Sequence, residues 1–434
     1  MTPTPVALMN DATFALVLLL LAMAPLAIAG VALINAGLGR SRSAAQSLLG
    51  SVVVAAIAVI AFALVGATFV GTVSGAGHLL HIAGTPWNWL GAGPFFLSGL
   101  GTAGAQAQLG LLFQFLAVAL AAIIPWGSGA DRLRLTAGCA IAAVLAAIVF
   151  PLFAHWVWAG GWLAQLGVNF SLGAGFLDPA GAAVVHVLGG LSALAVVWIA
   201  GPRKGKFPQG GFATAMPGHN AVYVLFGCLL ALPGWLGFNL AGAILWVHAP
   251  LAALPATALN TLLSASGAVL ATLGVTRFRF GKPDASMCAN GWLAGLVASS
   301  ASAALVPPIA ALAIGVVAGI ITPLLVEVLE LAVAIDDPSG AIAAHAAAGL
   351  WGLAATGFFC SQAGQFTGQV VAQLVGIAAF VGLALPLLYL LFRLVNRFVP
   401  FRVEQDGERI GMDLHELGGG AYPEFVIHRD DSYR

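Results

Sequence analysis

Eleven separate apolar runs, each long enough to cross a bilayer, constrain the fold of this 434-residue chain more than any other feature. A membrane-spanning helix needs about 20 apolar residues. The chain is 60% hydrophobic and only 7% charged, whereas a soluble domain carries roughly a quarter charged residues. Lipid is therefore the solvent that fits its surface. The predicted spans lie near residues 12–37, 45–71, 106–126, 135–157, 179–200, 218–242, 250–276, 286–305, 308–334, 340–360 and 367–396.

The sixteen Lys and Arg residues all follow odd-numbered spans, and no loop after an even-numbered span contains one. Because cytoplasmic loops carry the excess of positive charge, the pattern predicts an all-α integral membrane protein with its N-terminus outside and its C-terminus in the cytoplasm. The positions are Arg40, Arg42, Arg132, Arg134, Arg203, Lys204, Lys206, Arg277, Arg279, Lys282, Arg393, Arg397, Arg402, Arg409, Arg429 and Arg434. The same pattern predicts a transmembrane domain over 1–397 and a cytoplasmic tail over 398–434.

An internal repeat opens the fifth and tenth predicted spans. Residues 178–186 read Asp-Pro-Ala-Gly-Ala-Ala-Val-Val-His, and residues 337–345 read Asp-Pro-Ser-Gly-Ala-Ile-Ala-Ala-His. In the predicted topology the first copy starts outside and the second starts inside. The repeat is therefore inverted and relates spans one to five to spans six to ten, an arrangement found in transporters.

Each copy of the repeat places a histidine deep in the membrane. An Asp-Pro pair at a helix start supplies an N-cap carboxylate and a proline at the first helical position. His186 and His345 follow eight residues later, about 12 Å deeper at the rise of a helix. Two imidazoles that start from opposite faces would thus meet near the middle of the bilayer. Packing histidines are the alternative, but ionisable groups within a bilayer usually line a pathway. For Asp337 capping alone accounts for the residue.

At these residues the chain resembles the ammonium transporter family (Amt/Mep/Rh) over about 12–425. The two Asp-Pro motifs resemble the family signatures in the fifth and tenth spans. The other matching segments are Ala154-His155-Trp156-Val157-Trp158-Ala159-Gly160-Gly161, Pro217-Gly218-His219-Asn220, Gly234-Trp235-Leu236-Gly237-Phe238-Asn239, and Asn290-Gly291 with Ala294-Gly295-Leu296-Val297.

The resemblance implies a role for individual residues of a substrate pathway. His186 and His345 correspond to the twin histidines of the pore, and Asp178 to the buried carboxylate below an outer vestibule. Trp158 would offer its ring face to a cation. The remaining residues assigned to the vestibule or pathway are Phe113, Gln114, Phe238 and Trp235.

Two positions depart from the family pattern at the outer mouth. The usual gate phenylalanine falls at Ala117, so that Phe115 or another ring would have to replace it, and the serine of the ammonium site falls at Gly242. The resemblance therefore implies an outer site with altered affinity or chemistry.

The resemblance also implies partners and a location. These are a homotrimer with one pore per subunit in the cell (inner) membrane, surrounded by lipid. The segment 411–422 is similar to the family's C-terminal motif, which can engage PII signalling proteins. The sequence indicates no cofactor, metal cluster, nucleic-acid partner or enzyme site.

The mechanism predicted from these residues is transport of ammonium as ammonia. Burying an unpaired charge is very costly, so ammonium attracted near Trp158 and Asp178 would lose its proton, and ammonia would pass the histidines. Two alternatives remain open: an ammonium sensor, or a channel for another small neutral molecule.

Overall fold

The computed structural model describes residues 9–73, 77–82, 84–209, 211–360 and 366–422. Residues 1–8 of the predicted transmembrane domain and 423–434 of the predicted tail lie outside this range. Eleven long helical stretches run through the described residues, labelled α1 to α11 in chain order. They are Asp11–Leu38, Ser41–Val70, Ala105–Ser128, Leu135–Trp158, Ala182–Ala200, Ala221–Val247, Leu251–Phe280, Ala285–Ser302, Pro308–Leu331, Ile342–Phe359 and Phe366–Phe398.

Ten of these stretches are long and apolar enough to cross a membrane, namely all except α8. Helix α8 contains three serines among its last four residues, yet most of its residues are buried. The described residues therefore form a largely helical, multi-pass membrane protein with ten candidate spans.

Several helices begin where a side-chain oxygen takes up a free backbone N–H. Asn10 accepts a hydrogen bond from Thr13 N at 2.8 Å at the start of α1, and Asp284 accepts one from Met287 N at 2.8 Å before α8. Asn220 accepts from Tyr223 N at 3.0 Å before α6. Such caps satisfy donors that a helix end leaves without an intrahelical partner.

Several predicted boundaries are wrong by a few residues, and two of them bear on the site described below. Helix α5 begins at Ala182 rather than at 179, because Gly181 adopts a left-handed conformation with φ of 91°. Helix α6 continues to Val247 rather than ending at 242. The depth predicted for His186 assumed a helix that runs unbroken from Asp178, whereas the helix begins only after Gly181.

A β-hairpin interrupts the expected all-α fold in the connection between α2 and α3. Strands β1 (Gly77–Ile82) and β2 (Thr85–Gly91) pair antiparallel. His155 of α4 ties β2 to the helices, since its Nε2 lies 2.9 Å from Asn88 Oδ1 and its Nδ1 lies 2.8 Å from Val70 O. The hairpin residues fell in a connection rich in glycine, for which no strand was predicted.

Shorter elements complete the described residues. They are the helical turns Phe95–Leu97, Leu100–Thr102, Leu166–Phe170, Gln405–Ile410 and Asp413–Leu417. The last two belong to the tail, whose acidic residues take up the first N–H groups of two long helices. Asp413 accepts from Gln46 N at 2.7 Å at the start of α2, and Glu416 accepts from Leu135 N at 3.1 Å at the start of α4. The tail thus packs on the end of the helices where α2 and α4 begin. We call this end of the molecule the tail end and the opposite end the Asp178 end.

Buried charges join the loops at the tail end. Arg203 donates to both oxygens of Asp336 at 2.9 Å and to Asp131 at 3.0 Å. Arg132 donates to the backbone oxygens of Gly201 at 2.7 Å and Asp336 at 2.8 Å. The loops after α3, α5 and α9 are therefore held together by ion pairs that are almost fully buried.

Candidate functional site

The two histidines of the repeat lie in contact at the centre of the helices. The Nδ1 atoms of His186 and His345 are 3.2 Å apart, and the two rings lie 5.2 Å apart with their planes inclined by 22°. Both side chains are about 2% exposed. The structure thus shows the predicted contact between the two imidazoles.

The turn that carries His186 is shaped by Asp178. Its carboxylate accepts hydrogen bonds from the backbone N–H groups of Gly181 at 3.1 Å, Ala183 at 2.9 Å and Val184 at 3.1 Å. The left-handed conformation of Gly181, which a residue without a Cβ adopts readily, turns the chain into α5. The first turn of α5 is a wide π-helical turn over Ala182–Val187. Such turns are frequent at functional sites.

The turn that carries His345 repeats this arrangement. Asp337 accepts from Ile342 N at 2.8 Å, and Gly340 is left-handed with φ of 66°. A π-helical turn over Ile342–Ala347 follows. Asp337 also accepts a bond from the Ser128 hydroxyl at 2.8 Å. The capping role predicted for Asp337 is therefore observed, with a serine as an additional partner.

The histidines meet because α5 and α10 approach closely beside them. A Cβ on Gly190 of α5 would lie 2.5 Å from the backbone nitrogen of Ala346, and a Cβ on Gly349 of α10 would lie 2.8 Å from Ala182 O. Small residues at such crossings let membrane helices pack backbone to backbone.

Trp235 of α6 covers His186. The indole and imidazole rings stack with 5.0 Å between their centroids and 9° between their planes, and Trp235 Nε1 donates to Ser300 Oγ at 3.0 Å. Trp235 is 1% exposed. The structure thus brings this predicted pathway residue into contact with the histidine pair.

Four aromatic rings lie together at the Asp178 end. Phe113 contacts Trp158, Phe238 and Trp246 edge to face, with centroids 5.2, 5.4 and 5.7 Å apart. Trp158 Nε1 donates to the backbone oxygen of Asp178 at 2.8 Å. The structure therefore brings together Asp178 and three of the aromatic residues predicted for the vestibule, and it adds Trp246. We call these four rings the aromatic cluster.

Gln114, also predicted for the vestibule, has neighbours that do not belong to the aromatic cluster. Its side chain is fully buried, and its amide lies 2.9 and 3.1 Å from the hydroxyl of Thr72. Thr72 belongs to the connection that leads from α2 to the hairpin. The contact joins α3 to this connection rather than to the aromatic cluster.

The two altered positions differ in what surrounds them. Ala117 is completely buried. Phe115, a candidate to replace the missing gate ring, instead contacts Phe62 edge to face at 5.0 Å. Gly242 packs against the backbone of Pro179 so closely that a Cβ there would overlap the Pro179 carbonyl oxygen. The turn at Asp178 and the glycine at 242 are therefore fitted to each other.

A pocket lined by polar side chains lies at the tail end of the helices. It has a volume of about 270 Å³, and its lining includes Asn290, Asp336, Asp337 and Gly340. Asn290 is 6% exposed, and its Oδ1 atom has no hydrogen-bond partner among the described residues. Burial, opposed by hydrogen bonds from Ile342 N and the Ser128 hydroxyl, raises the pKa of Asp337. The pocket thus offers a free acceptor oxygen and a carboxyl that takes up a proton more readily than usual.

Sequence reasoning assigned no function to Trp246, Ser300 or Asn290. A signal for Trp246 existed, because positions 235, 238, 242 and 246 are spaced at three, four and four residues and share one face of a helix. Asn290 belonged to a segment that matches the family but carried no assigned role. Ser300 had no comparable signal, since a polar residue in an apolar run can face either a pore or another helix. Among the described residues no group of three or more His, Cys, Asp or Glu could hold a metal ion.

Comparison with known proteins places these features in one family. Residues 15–422 match the model of the Ammonium Transporter Family. The ammonium transporter Amt2 of Archaeoglobus fulgidus is 34% identical, over 92% of this chain and 85% of that protein. The ammonium transporter Amt2 of Haloferax mediterranei is 32% identical, over 92% and 87%.

Solved structures agree with this result. A structure titled "Sensor Amt Protein" is 27% identical and superposes with a TM-score of 0.83, covering 93% of this chain and 97% of that one. Mep2 of Candida albicans has the same fold, with a TM-score of 0.78 over 96% of this chain. The match of the family model over almost the whole length, together with the similar proteins, shows that the chain belongs to the ammonium transporter family.

Proposed function

We propose that this ammonium transporter collects ammonium at the aromatic cluster, where the ion gives its proton to solvent water, and passes ammonia along His186 and His345. The observation that carries the proposal is the buried contact between the two imidazoles, 3.2 Å from Nδ1 to Nδ1. Each neutral imidazole has one N–H donor and one acceptor nitrogen. When one Nδ1 donates to the other, one Nε2 remains an acceptor and the other a donor.

A pair of this kind suits ammonia, which both donates and accepts hydrogen bonds. It suits sodium and potassium poorly, because a bare ion in this apolar surrounding would lose its hydration without charged ligands to replace it. The pair therefore supports passage of a neutral molecule. The rings of Phe113, Trp158 and Phe238 attract a cation at the Asp178 end, and the Asp178 carboxylate adds a negative field beneath them.

The topology belongs to the same proposal. We infer that α8 also spans the membrane and brings the number of spans to eleven. It is eighteen residues long, is mostly buried and packs between α7 and α9. The Lys and Arg residues within the described ranges then all lie at the tail end, which makes that end cytoplasmic. Spans one to five and six to ten form the inverted repeat, 1–397 is the transmembrane domain and 398–434 is the tail.

Membership of the family supports a proposal for the assembly and the location of the protein. We propose a homotrimer in the cell membrane, with lipid around it and one pathway in each subunit. The tail is the candidate contact for a PII signalling protein. Cross-linking in membranes and co-purification with a PII protein test these two points separately.

The decisive experiment compares the wild type with His186→Leu in proteoliposomes during pulses of ammonium and methylammonium. We expect a saturable response in the wild type and none in His186→Leu, because leucine offers neither donor nor acceptor. His81→Leu is the matched control, since His81 is exposed on β1. Equal flux in the wild type and in His186→Leu would contradict the proposed pathway.

A sensor is the second candidate, favoured by the similarity to the "Sensor Amt Protein" structure and by the altered positions Ala117 and Gly242. A sensor would bind ammonium without saturable flux. Ammonium binding in detergent together with no current and no pH change in vesicles would therefore replace the transporter proposal with this one.

A further inference from the structure

Trp246 covers one ring face of Trp158. The two indole rings are nearly parallel, with 11° between their planes and 5.6 Å between their centroids. Trp158 is 7% exposed, whereas Trp246 is partly exposed at the end of α6. Trp246 therefore lies on the solvent side of Trp158 and closes the Asp178 end of the pathway.

A cation does not fit between these two rings as they stand. The gap between two nearly parallel planes cannot exceed the 5.6 Å between their centroids. An ammonium nitrogen in van der Waals contact with both rings needs about 3.5 Å on each side, or about 7 Å in total. Ammonium can reach this face of Trp158 only after Trp246 has moved.

The hydrogen bonds show which of the two rings can move. Trp158 is anchored by its bond to Asp178 O at 2.8 Å, and Trp235 is anchored by Ser300 at 3.0 Å. The Nε1 atom of Trp246 is buried and has no acceptor among the described residues. Moving Trp246 outward breaks no such bond and lets its N–H reach water, whereas moving Trp158 breaks one.

The site accommodates the ring of Trp246 through small neighbours. A Cβ on Gly110 of α3 would lie 3.0 Å from the Cη2 atom of Trp246. The ring of Trp246 thus fits beside Gly110 and is held by its contacts with Phe113 and Trp158.

We propose that Trp246 is the gate of the outer ammonium site, a ring that swings off Trp158 to admit the substrate and that discriminates against larger amines. This inference rests on the proposed function for the identity of the ligand. It adds a residue that sets affinity and selectivity. Each ammonium ion that binds must displace the ring, so the closed ring weakens apparent binding.

The test replaces Trp246 by Leu and by Phe in the full chain. In Trp246→Leu the Trp158 face is open in every molecule. If the ring of the wild type is displaced in about a tenth of molecules, the apparent affinity for ammonium rises about tenfold. The ratio of methylammonium to ammonium flux should also rise, and Trp246→Phe should lie between the wild type and Trp246→Leu.

Affinity is measured in detergent from the rise of the unfolding temperature with ammonium chloride, with sodium chloride as the salt control, and therefore does not depend on flux. Trp198→Leu is the matched control, because Trp198 is 49% exposed on α5, away from the cluster. Trp158→Leu should abolish the rise of the unfolding temperature with ammonium chloride, which would show that this rise reports binding at Trp158.

The outcomes separate the two proposals. Tighter ammonium binding in Trp246→Leu supports the gate whether or not the vesicles show flux, and absent flux contradicts only the transport proposal. Binding in Trp246→Leu equal to that of Trp198→Leu overturns the gate. Weaker binding in Trp246→Leu also overturns it, since the ring would then be a wall of the site.

Discussion

The turn at Asp178 and the turn at Asp337 share a sequence pattern and a backbone shape but have different surroundings. Both have a capping carboxylate, a left-handed glycine and a π-helical turn that carries a histidine. The Asp178 turn lies below the aromatic cluster. The Asp337 turn adjoins buried ion pairs and hydroxyl groups. The repeat therefore determines where the two histidines lie, whereas the neighbouring residues give the two ends different chemistry.

The largest expected effect comes from making the same substitution in both turns. Asp178→Asn should destabilise the protein and lower ammonium flux far more than Asp337→Asn. The three donors to Asp178 are backbone N–H groups, so the amide nitrogen of the introduced asparagine must face at least one of them. A buried donor without an acceptor costs about 1–3 kcal/mol.

At Asp337 an amide can be accommodated. Its Oδ1 atom accepts from the hydroxyls of Ser128 and Ser339, and a hydroxyl can rotate to accept a bond instead. In Asp337→Asn the remaining side-chain oxygen can still accept from Ile342 N. Unfolding temperature in detergent and flux in vesicles check the prediction, and equal losses in the two variants would show that the carboxylate charge matters more than the donors around it.

A smaller effect is expected from restoring the missing serine at 242. Gly242→Ser should lower flux rather than improve ammonium binding, because its Cβ overlaps Pro179 O and displaces the Asp178 turn. Gly242→Ala is the matched control, since it adds the same Cβ without the hydroxyl. A shift of this kind in a packed region typically costs about 1–3 kcal/mol.

Apparent affinity and unfolding temperature of both variants decide this prediction. Equal losses in the serine and alanine variants would confirm that backbone packing excludes any side chain at 242. A serine variant that binds ammonium more tightly than the wild type would show that the turn can yield and that the hydroxyl contributes to the site.

The smallest expected effect is that of acid on the stability of the ion pairs at the tail end. Burial by itself raises the pKa of Asp336, but the hydrogen bond from Arg203 and the charges of Arg132 and Arg203 outweigh burial and lower this pKa to about 2. An unfolded aspartate has a pKa of about 3.9. The ion pairs therefore stabilise the fold fully above about pH 4, and this contribution is lost as the pH falls towards about 2.

The difference of roughly two pKa units corresponds to about 2–3 kcal/mol. Unfolding temperature should thus change little through this group between about pH 8 and pH 5 and should fall below about pH 4. Asp336→Asn should be less stable at neutral pH and should lack this part of the pH dependence. A parallel decline of both proteins in acid would assign the effect to other carboxyl groups.

Much of the fold could be predicted because lipid imposes simple rules on a sequence. Backbone groups in a bilayer must bond within helices, so apolar length located the ten helices that the structure shows as candidate spans. The hairpin of β1 and β2 could not be predicted, because the requirement for helices applies only to backbone within the bilayer. The hairpin lies in a connection between two helices, and its strands pair with each other and bond to His155.

The sequence by itself determined the helices, the repeat and the two histidines. Each of these depends on residues near in the chain or on a close match between two segments. Tertiary structure alone decided that Trp246 lies on Trp158, that Gly242 fits the Asp178 turn, and that Asn290 keeps a free oxygen among the described residues. These features arise where helices distant in the chain pack together, and the free energy of such contacts depends on shapes that no local pattern encodes.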